Sequence, residues 1–202
     1  MDRKERGREA FYRYKGVLKC LSSFYGLFPL RVRIRILAMH RNTGGKLGYG
    51  IRYALVKSIA KKCGDNVSIA QNVFLLNPQN LIIGSNVSIH PMCYLECGKD
   101  NDNYIQIDND VSIAHGVTII TTSHTYNSDL TNIIKDMKVI WKPVHICSNV
   151  WIGAKVTILM GTTIKSGCVI GANSLVNKDT EPNGVYVGTP IRRIKDREPA
   201  QD

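Results

Sequence analysis

The sequence of 202 residues has no apolar run near the roughly 20 residues that a membrane-spanning helix needs. Its longest uncharged stretch near the N-terminus, residues 20–30, is interrupted by serine, glycine and proline and follows a long basic segment. A secretory signal has the opposite form, with a short basic region before a continuous apolar core. The sequence therefore predicts neither an integral membrane protein nor a secreted disulfide scaffold.

The sequence also lacks cysteines at metal-binding or redox spacing. Its six cysteines form no C-x-x-C pair and no paired cysteine and histidine motif, so we expect no metal. Several of them occupy apolar positions of the repeat described below. This favours reduced, buried thiols in a cytoplasmic protein.

Acidic residues are scarce in the first third of the chain. Residues 1–62 hold 16 Lys and Arg against 3 Asp and Glu, a net charge of +13, whereas residues 63–202 hold 11 against 13, a net charge of −2. The overall charge of +11 therefore comes from the first region alone, and the two regions differ strongly in charge. No nucleic-acid-binding motif accompanies it, and we expect no nucleic-acid partner.

The chain after residue 62 repeats every six residues, and each hexapeptide opens with an apolar side chain. Three hexapeptides make one group, and extra residues form insertions of two, six and 21 residues, of which the longest spans 125–145. The five groups begin at Cys63, Ile83, Ile107, Ile146 and Ile164.

A six-residue period excludes a helix, in which positions six apart point in different directions. It fits a chain that makes one short strand and one corner every six residues, so that three sides close a triangular coil. The repeat thus predicts an all-β parallel β-helix of about five coils, with the opening residues buried in a column. A β-sandwich would show period two instead. The period does not fix the handedness of the coil, and the general crossover rule favours right-handed turns.

Three regions follow from this pattern: a basic, partly helical N-terminal cap (1–62), the β-helix (63–180) and a C-terminal tail (181–202). Residues 51–62 predict a short amphipathic helix that covers the open end of the solenoid. The run 31–36 alternates arginine with valine or isoleucine, which is typical of a strand. Either the basic surface of the cap is only solvated, or it draws the protein to anionic phospholipid at the inner face of the membrane.

Three segments resemble the hexapeptide-repeat acyltransferases: residues 113–124 (IAHGVTIITTSH), 149–154 (NVWIGA) and 177–192. The branch that they resemble contains the maltose, galactoside and capsular-polysaccharide O-acetyltransferases, and the resemblance covers about residues 63–195. It implies a left-handed β-helix, a homotrimer, acetyl-CoA as donor, and active sites between neighbouring subunits.

Acetyl transfer to an alcohol needs a base that titrates near neutrality, and histidine fits best. His124 ends the third group, where the long insertion begins, and it coincides with the catalytic histidine of the family. His90 lies where galactoside-type members have an asparagine that contacts the acceptor; acceptor contact and a plain corner residue both remain open for it. Glu96 either orients a base or binds a sugar hydroxyl, or it is a solvated carboxylate. Trp151 either walls the thioester end of the site or simply packs.

The resemblance also implies a coenzyme A cleft between two β-helices. Its carried-over positions are Ala154, Ala172, Asn177, Lys178 and Lys195. The alanines would supply backbone groups and clearance for the pantetheine arm, and the two lysines would face the phosphates. The expected activity is an acetyl-CoA-dependent O-acetyltransferase of a sugar hydroxyl in surface or exopolysaccharide biosynthesis. N-acylation of an amino sugar or an antibiotic, and a non-catalytic trimeric scaffold, are the alternatives.

Overall fold

The computed structural model describes residues 7–125 and 133–197. Three helices precede a β-solenoid, and a short helix and a 3-10 turn (Pro78–Asn80) lie within the solenoid region. The helices are α1 (Gly7–Gly26), α2 (Leu30–Met39), α3 (Gly45–Ile59) and α4 (Ile133–Asp136). No helix within the described ranges is both long enough and apolar enough to cross a membrane.

The strands are short, as a six-residue repeat requires. In chain order they are β1 (Lys62–Cys63), β2 (Ser68–Ile69), β3 (Phe74–Leu76), β4 (Leu81–Ile83), β5 (Ser88–Ile89), β6 (Tyr94–Glu96), β7 (Ile105–Ile107), β8 (Ser112–Ile113), β9 (Thr118–Ile120), β10 (Thr122–His124), β11 (Val139–Trp141), β12 (Val144–Ile146), β13 (Trp151–Ile152), β14 (Thr157–Ile158), β15 (Thr163–Ile164), β16 (Val169–Ile170), β17 (Leu175–Val176), β18 (Gly184–Val187) and β19 (Arg192–Asp196).

These strands stack into three sheets that form the sides of a prism of about five coils. Sheet A has the order β1-β4-β7-β12-β15, sheet B the order β2-β5-β8-β13-β16-β18-β19, and sheet C the order β3-β6-β9-β14-β17. The parallel register of sheet A aligns the five residues that were predicted to open the groups. The predicted parallel β-helix, its five coils and the phase of its repeat are therefore confirmed.

The interior is built from the first and fifth positions of each hexapeptide. The opening isoleucines, such as Ile83, Ile107 and Ile146, are 0% exposed and form the column. Most fifth positions are buried as well, including small ones such as Thr162 and Ser174. Five coils of buried side chains make a continuous core, which no single coil could supply alone.

The corner between sheets A and B needs a left-handed residue in every coil. Asn66, Asn86, Asp110, Asn149 and Gly167 occupy that position, each with a φ between 54° and 76°. Asparagine, aspartate and glycine tolerate this backbone conformation, as the sequence predicted. The side chains also form a ladder, because Asn66 donates to Asn86 at 2.9 Å and Asn86 donates to Asp110 at 3.0 Å.

Helix α3 covers the open end of the first coil, and it begins earlier than the predicted helix over 51–62. Its side chains Tyr53, Leu55 and Val56 are buried, and α1 and α2 both pack against it.

The prediction of a strand over 31–36 is wrong, because this run lies in α2. Leu37 belongs to the buried core, and Leu30 and Ile34, at helical spacing from it, are partly buried and pack against that core. Pro29 precedes the first turn. The strand prediction assumed that all the alternating arginines face solvent. In the structure Arg33 instead donates to the Ser58 carbonyl of α3.

Within residues 181–202, the described part extends the solenoid. Strand β18 pairs in parallel with β16, and β19 returns antiparallel to β18. All six cysteines are free thiols, and Cys93, Cys97 and Cys168 are buried in the interior. Burial raises the pKa of the Cys97 thiol to about 12, so this thiol stays protonated and unreactive at neutral pH.

Candidate active site

His124 stands on a hairpin that leaves the solenoid after the third coil. The chain departs from sheet C after Ile120, forms β10, and returns as β11 in an antiparallel pair that sets His124 opposite Val139. The hairpin continues for one further pair, because the Thr125 amide donates to the Lys138 carbonyl and the Lys138 amide donates to the Thr125 hydroxyl. The imidazole is thus exposed and carried outward on a hydrogen-bonded support.

Glu96 lies at the base of this hairpin. Its Oε1 accepts a hydrogen bond of 3.0 Å from the Thr122 hydroxyl, and its Oε2 accepts one of 3.3 Å from the Tyr94 hydroxyl. Alternate residues of a strand share a face, so Thr122 and His124 project to the same side of β10. Burial, followed by the charge of Glu96, raises the pKa of the Tyr94 phenol, which keeps it a donor to the carboxylate. The half-buried Glu96 is therefore fixed on the face that carries the histidine.

Ala154 and Ala172 stack one above the other at the corner between sheets B and C. Their strands pair in register, with Ile152 beside Ile170, and the Asn173 amide donates to the Ala154 carbonyl at 2.9 Å. A Cβ added to Gly153 would lie 2.6 Å from the Ala172 amide nitrogen, so only glycine permits this close approach. Neighbouring amides, those of Gly153 and Lys155, are bonded within the solenoid. The Ala154 amide has no acceptor among the described residues, so it can donate to a ligand.

The structure places the other predicted residues on three surfaces. His90 is exposed at the same corner as Ala154, two coils earlier. Asn177 and Lys178 are exposed at the corner between sheets C and A, two coils beyond the start of the hairpin. Trp151, 56% exposed, and Lys195 stand on sheet B.

Within one chain the candidate residues therefore form two groups on opposite edges of sheet C. Glu96, His124 and Lys178 lie at its edge with sheet A, and Ala154 and Ala172 lie at its edge with sheet B. At about 3.3 Å per residue, the five residues from Ala172 to Asn177 span up to about 16 Å.

The outward face of sheet C, between the two groups, carries several partly exposed apolar side chains. Phe74 is 43% and Leu76 is 39% exposed there. Tyr94, Ile120, Leu159 and Leu175 continue this face along the later coils. The corresponding outward positions of sheet B are Ser68, Ser88 and Ser112 in the first three coils.

The sequence did not identify Thr122 and Tyr94 as the partners of Glu96. A signal for Thr122 existed, since it lies two residues before His124 and so shares its face in any extended segment. No sequence signal existed for Tyr94, because its contact with Glu96 depends on side-chain rotamers.

Comparisons with known proteins agree with this architecture. The family described as bacterial transferase hexapeptide (six repeats) matches residues 143–178. The galactoside O-acetyltransferase of Escherichia coli (strain K12) is 32% identical over 176 residues, which cover 86% of this chain and 83% of that protein.

Solved structures give the same result. A galactoside acetyltransferase in complex with coenzyme A has a TM-score of 0.72 and 30% identity, and the match covers 84% of this chain and 81% of that one. A hexapeptide-repeat acetyltransferase from Vibrio cholerae O1 biovar eltor, complexed with acetyl-CoA, has a TM-score of 0.72 and 26% identity, covering 84% and 88%.

These likenesses place the chain among the hexapeptide-repeat transferases. Within that class it belongs to the acetyltransferase family that includes the galactoside O-acetyltransferases, which confirms the resemblance predicted from its sequence.

Proposed function

We propose that the protein transfers an acetyl group from acetyl-CoA to a sugar hydroxyl, in the biosynthesis of a surface polysaccharide or exopolysaccharide. The observation that carries this proposal is His124, an exposed imidazole held at the end of a hydrogen-bonded hairpin beside the anchored Glu96. Histidine is the side chain whose ordinary pKa, about 6.5, suits it best to accept a proton from an alcohol near neutral pH.

The reaction needs no covalent intermediate on the protein. His124 removes the proton of the sugar hydroxyl while the oxygen attacks the thioester carbonyl carbon. The Ala154 amide donates to the oxygen on which negative charge develops. The carbon–sulfur bond then breaks, and the imidazolium returns the proton to the leaving thiolate of coenzyme A.

A complete site requires two copies of the chain. The base and the Ala154 amide lie on different edges of sheet C, and the face between them is apolar. In a cyclic homotrimer that buries sheet C around its axis, the edge carrying His124 in one subunit faces the edge carrying Ala154 in the next. The two groups of residues, which lie too far apart to act together within one chain, would therefore meet between neighbouring chains.

The remaining residues fall on the two sides of such an intersubunit cleft. Ala172 would leave room for the pantetheine arm, whereas Asn177, Lys178 and Lys195 would hold the polar and anionic parts of coenzyme A. His90, Glu96 and Trp151 would contact the acceptor, with Glu96 also orienting the hairpin face.

The assignment of the base is tested with His124→Ala. Turnover should fall about 10²- to 10⁴-fold, because a general base contributes about that much. Ser123→Ala is the matched control, since it alters the same strand on its other face and should stay within about threefold of wild type. Turnover of His124→Ala within about threefold of wild type, measured as release of coenzyme A, would refute the assignment.

The shared site is tested by complementation. His124→Ala and Ala172→Trp, which blocks the donor cleft from an exposed position, are each expected to be inactive. Co-expressed with different tags and purified through both, every mixed trimer holds one intact site in three, so activity should reach about one third of wild type. Activity no higher than that of either variant alone would place each site within one chain.

The acceptor is tested by a panel of sugars, nucleotide sugars and amino sugars, with release of coenzyme A as the signal. Hydroxyl acceptors should support turnover in the absence of a free amine. Turnover with amines alone would favour the N-acyltransferase alternative, and no binding of coenzyme A by calorimetry would favour a scaffold.

We also propose that α1 and α2 contact an anionic bilayer. Val17, Cys20, Leu21 and Phe24 line a shallow apolar groove on the side of α1 that faces away from α3, and Leu27 is 81% exposed at its end. An anionic lipid surface is the occupant that complements both this apolar stripe and the net charge of +13 in residues 1–62.

The bilayer contact is tested with point variants, because deleting the helices would uncover the first coil. Phe24→Glu with Leu27→Glu should abolish co-sedimentation with vesicles containing phosphatidylglycerol, while wild type pellets with these and not with phosphatidylcholine alone. Equal pelleting of the two proteins would contradict the proposal, as would a change of oligomeric state in the variant, which would identify the stripe as a subunit contact.

A further inference from the structure

A second cluster of chemically capable side chains lies on sheet A, on a face that the proposed reaction does not use. Asp108 follows β7, His145 lies in β12, and Cys147 follows β12 in the next coil. The parallel register pairs Ile107 with Ile146, so Asp108 and Cys147 are neighbours across the sheet. His145 and Cys147 are two residues apart and therefore project from the same face.

The three ligand atoms converge. The Nε2 atom of His145 is 2.9 Å from Oδ2 of Asp108, and the Sγ atom of Cys147 is 3.9 Å from the same nitrogen. All three atoms lie within 4.8 Å of one another. The side chain of Gln106 donates to the other carboxylate oxygen of Asp108 at 2.9 Å, which turns Oδ2 towards the histidine.

These separations are close to those of a tetrahedral metal site. Zinc bonds of about 2.0–2.3 Å at tetrahedral angles place the ligand atoms about 3.3–3.6 Å apart. The distances of 2.9 and 3.9 Å lie on either side of that range. Small rotations of the side chains would bring both into it, and Gln106 would then serve as the outer partner that orients the carboxylate.

We propose that Asp108, His145 and Cys147 form a binding site for a borderline transition-metal cation of the Zn²⁺ class, with a water molecule as the fourth ligand. One thiolate, one imidazole and one carboxylate favour this class over Mg²⁺ or Ca²⁺, which prefer oxygen ligands. The three side chains are half-buried, and His145 and Asp108 are 35% and 31% exposed, so an ion can reach them from solvent.

The surroundings of Cys147 oppose ionisation of its thiol when no cation is bound. Burial, followed by the negative charge of Asp108, raises the pKa of the Cys147 thiol, while the nearby Lys165 lowers it. A divalent cation would reverse the first two effects, since it stabilises the thiolate directly. Binding should therefore release a proton from Cys147.

The position of the site suggests what the ion does. Asp108 belongs to the third coil and the other two ligands to the fourth, so the ion links the coils on either side of the insertion that follows His124. The site thus holds together the third and fourth coils, between which the hexapeptide repeat is interrupted.

The experiment uses untagged, chelator-treated full-length protein and Co²⁺ as a spectroscopic probe. Titration should give one Co²⁺ per chain with a thiolate-to-metal charge-transfer band, and equimolar Zn²⁺ should displace it. Zn²⁺ should also raise the melting temperature. Cys147→Ser should lose the charge-transfer band and weaken binding by at least about 100-fold, since loss of an outer partner alone costs 10- to 100-fold.

Two variants complete the design. Cys20→Ser removes an exposed thiol on α1 and should bind Co²⁺ as wild type does. Gln106→Leu should retain the band and bind about 10- to 100-fold more weakly. The proposal is wrong if wild type shows no charge-transfer band, or if Cys147→Ser binds Co²⁺ with the wild-type affinity and spectrum. None of these measurements depends on acetyl transfer, so they stand apart from the proposed reaction.

Discussion

Arg52 is a buried cation at the junction of the helices and the first coil, and replacing it should destabilise the protein. The side chain is 1% exposed. Its Nε donates to the Ile69 carbonyl of β2 at 2.8 Å, and its Nη1 donates to the carbonyls of Thr43 and His40 at 2.6 and 3.1 Å. The guanidinium therefore joins α3 both to the first coil and to the backbone carbonyls of the segment that connects α2 to α3.

The magnitude follows from opposing effects. Hydrogen bonds to charged groups contribute about 1.5–3 kcal/mol each, but burying the guanidinium costs several kcal/mol. The cost is visible in the structure, since burial lowers the pKa of Arg52 and its Nη2 has no acceptor among the described residues. We expect Arg52→Met, which keeps the volume and leaves carbonyls unpaired, to lose about 2–4 kcal/mol of the free energy of unfolding.

Urea-induced unfolding at fixed protein concentration, followed by circular dichroism, measures this loss. Arg52→Lys should fall between wild type and Arg52→Met, because an ammonium keeps the charge but cannot reach both sides of the junction. Arg35→Met is the matched control, since Arg35 is exposed on α2 and its replacement should change stability by less than about 0.5 kcal/mol. An Arg52→Met protein as stable as wild type would show that desolvation outweighs these hydrogen bonds.

Three further outcomes follow from the solenoid. Ile113 is 0% exposed, so Ile113→Ala should lower the free energy of unfolding by about 2–5 kcal/mol and Ile113→Val by about 0.5–1.5 kcal/mol, as measured by chemical denaturation. A loss below about 1 kcal/mol for the alanine variant would contradict the closely packed column of isoleucines. Asn86 has a φ of 59°, so Asn86→Ala should be about 1 kcal/mol less stable than Asn86→Gly, and equal stabilities would argue against left-handed strain at the corner. The Lys15 ammonium donates a hydrogen bond to Asp65 at 2.6 Å, and this bond lowers the pKa of the Asp65 carboxyl group. The carboxylate therefore stabilises the fold at pH values above its ordinary pKa of about 3.9, and this stabilisation is lost as the pH falls through the lowered pKa. The difference in melting temperature between wild type and Asp65→Asn should therefore shrink below about pH 4, and a constant difference down to pH 2 would refute the coupling.

The sequence predicted the solenoid well because each coil repeats one local rule. An apolar residue every sixth position and an asparagine, aspartate or glycine at each corner specify the same backbone turn many times, so single exceptions such as Met92, with a φ of 62°, do not obscure it. His124 became the candidate base because it stands where the rule stops and coincides with the catalytic histidine of the family that the sequence resembles.

The sequence could not predict features that depend on contacts between distant segments. The alternation of arginine with apolar residues in α2 is typical of a strand. Only the packing of Ile34 and Leu37 against the core shows that the segment is a helix. The cluster of Asp108, His145 and Cys147 escaped the search for metal motifs, because its ligands come from coils separated by the 21-residue insertion. The hexapeptide alignment held the missing signal: Asp108 and Cys147 both follow the opening residue of their groups.

The division of the candidate site between two edges explains why the hairpin is needed. The corner side chains of stacked coils lie level with the surface of the prism. The corners therefore supply a fixed row of backbone amides but no side chain that reaches across a cleft. The hairpin places His124 beyond that surface, where it can meet the amide edge of a neighbouring chain. If the proposed shared site is correct, catalysis depends on assembly, because a monomer retains its full core and every proposed residue yet holds no complete site. Dilution of the protein below the dissociation constant of the trimer should abolish turnover while the circular dichroism spectrum stays unchanged, whereas activity that persists in a verified monomer would refute the shared site.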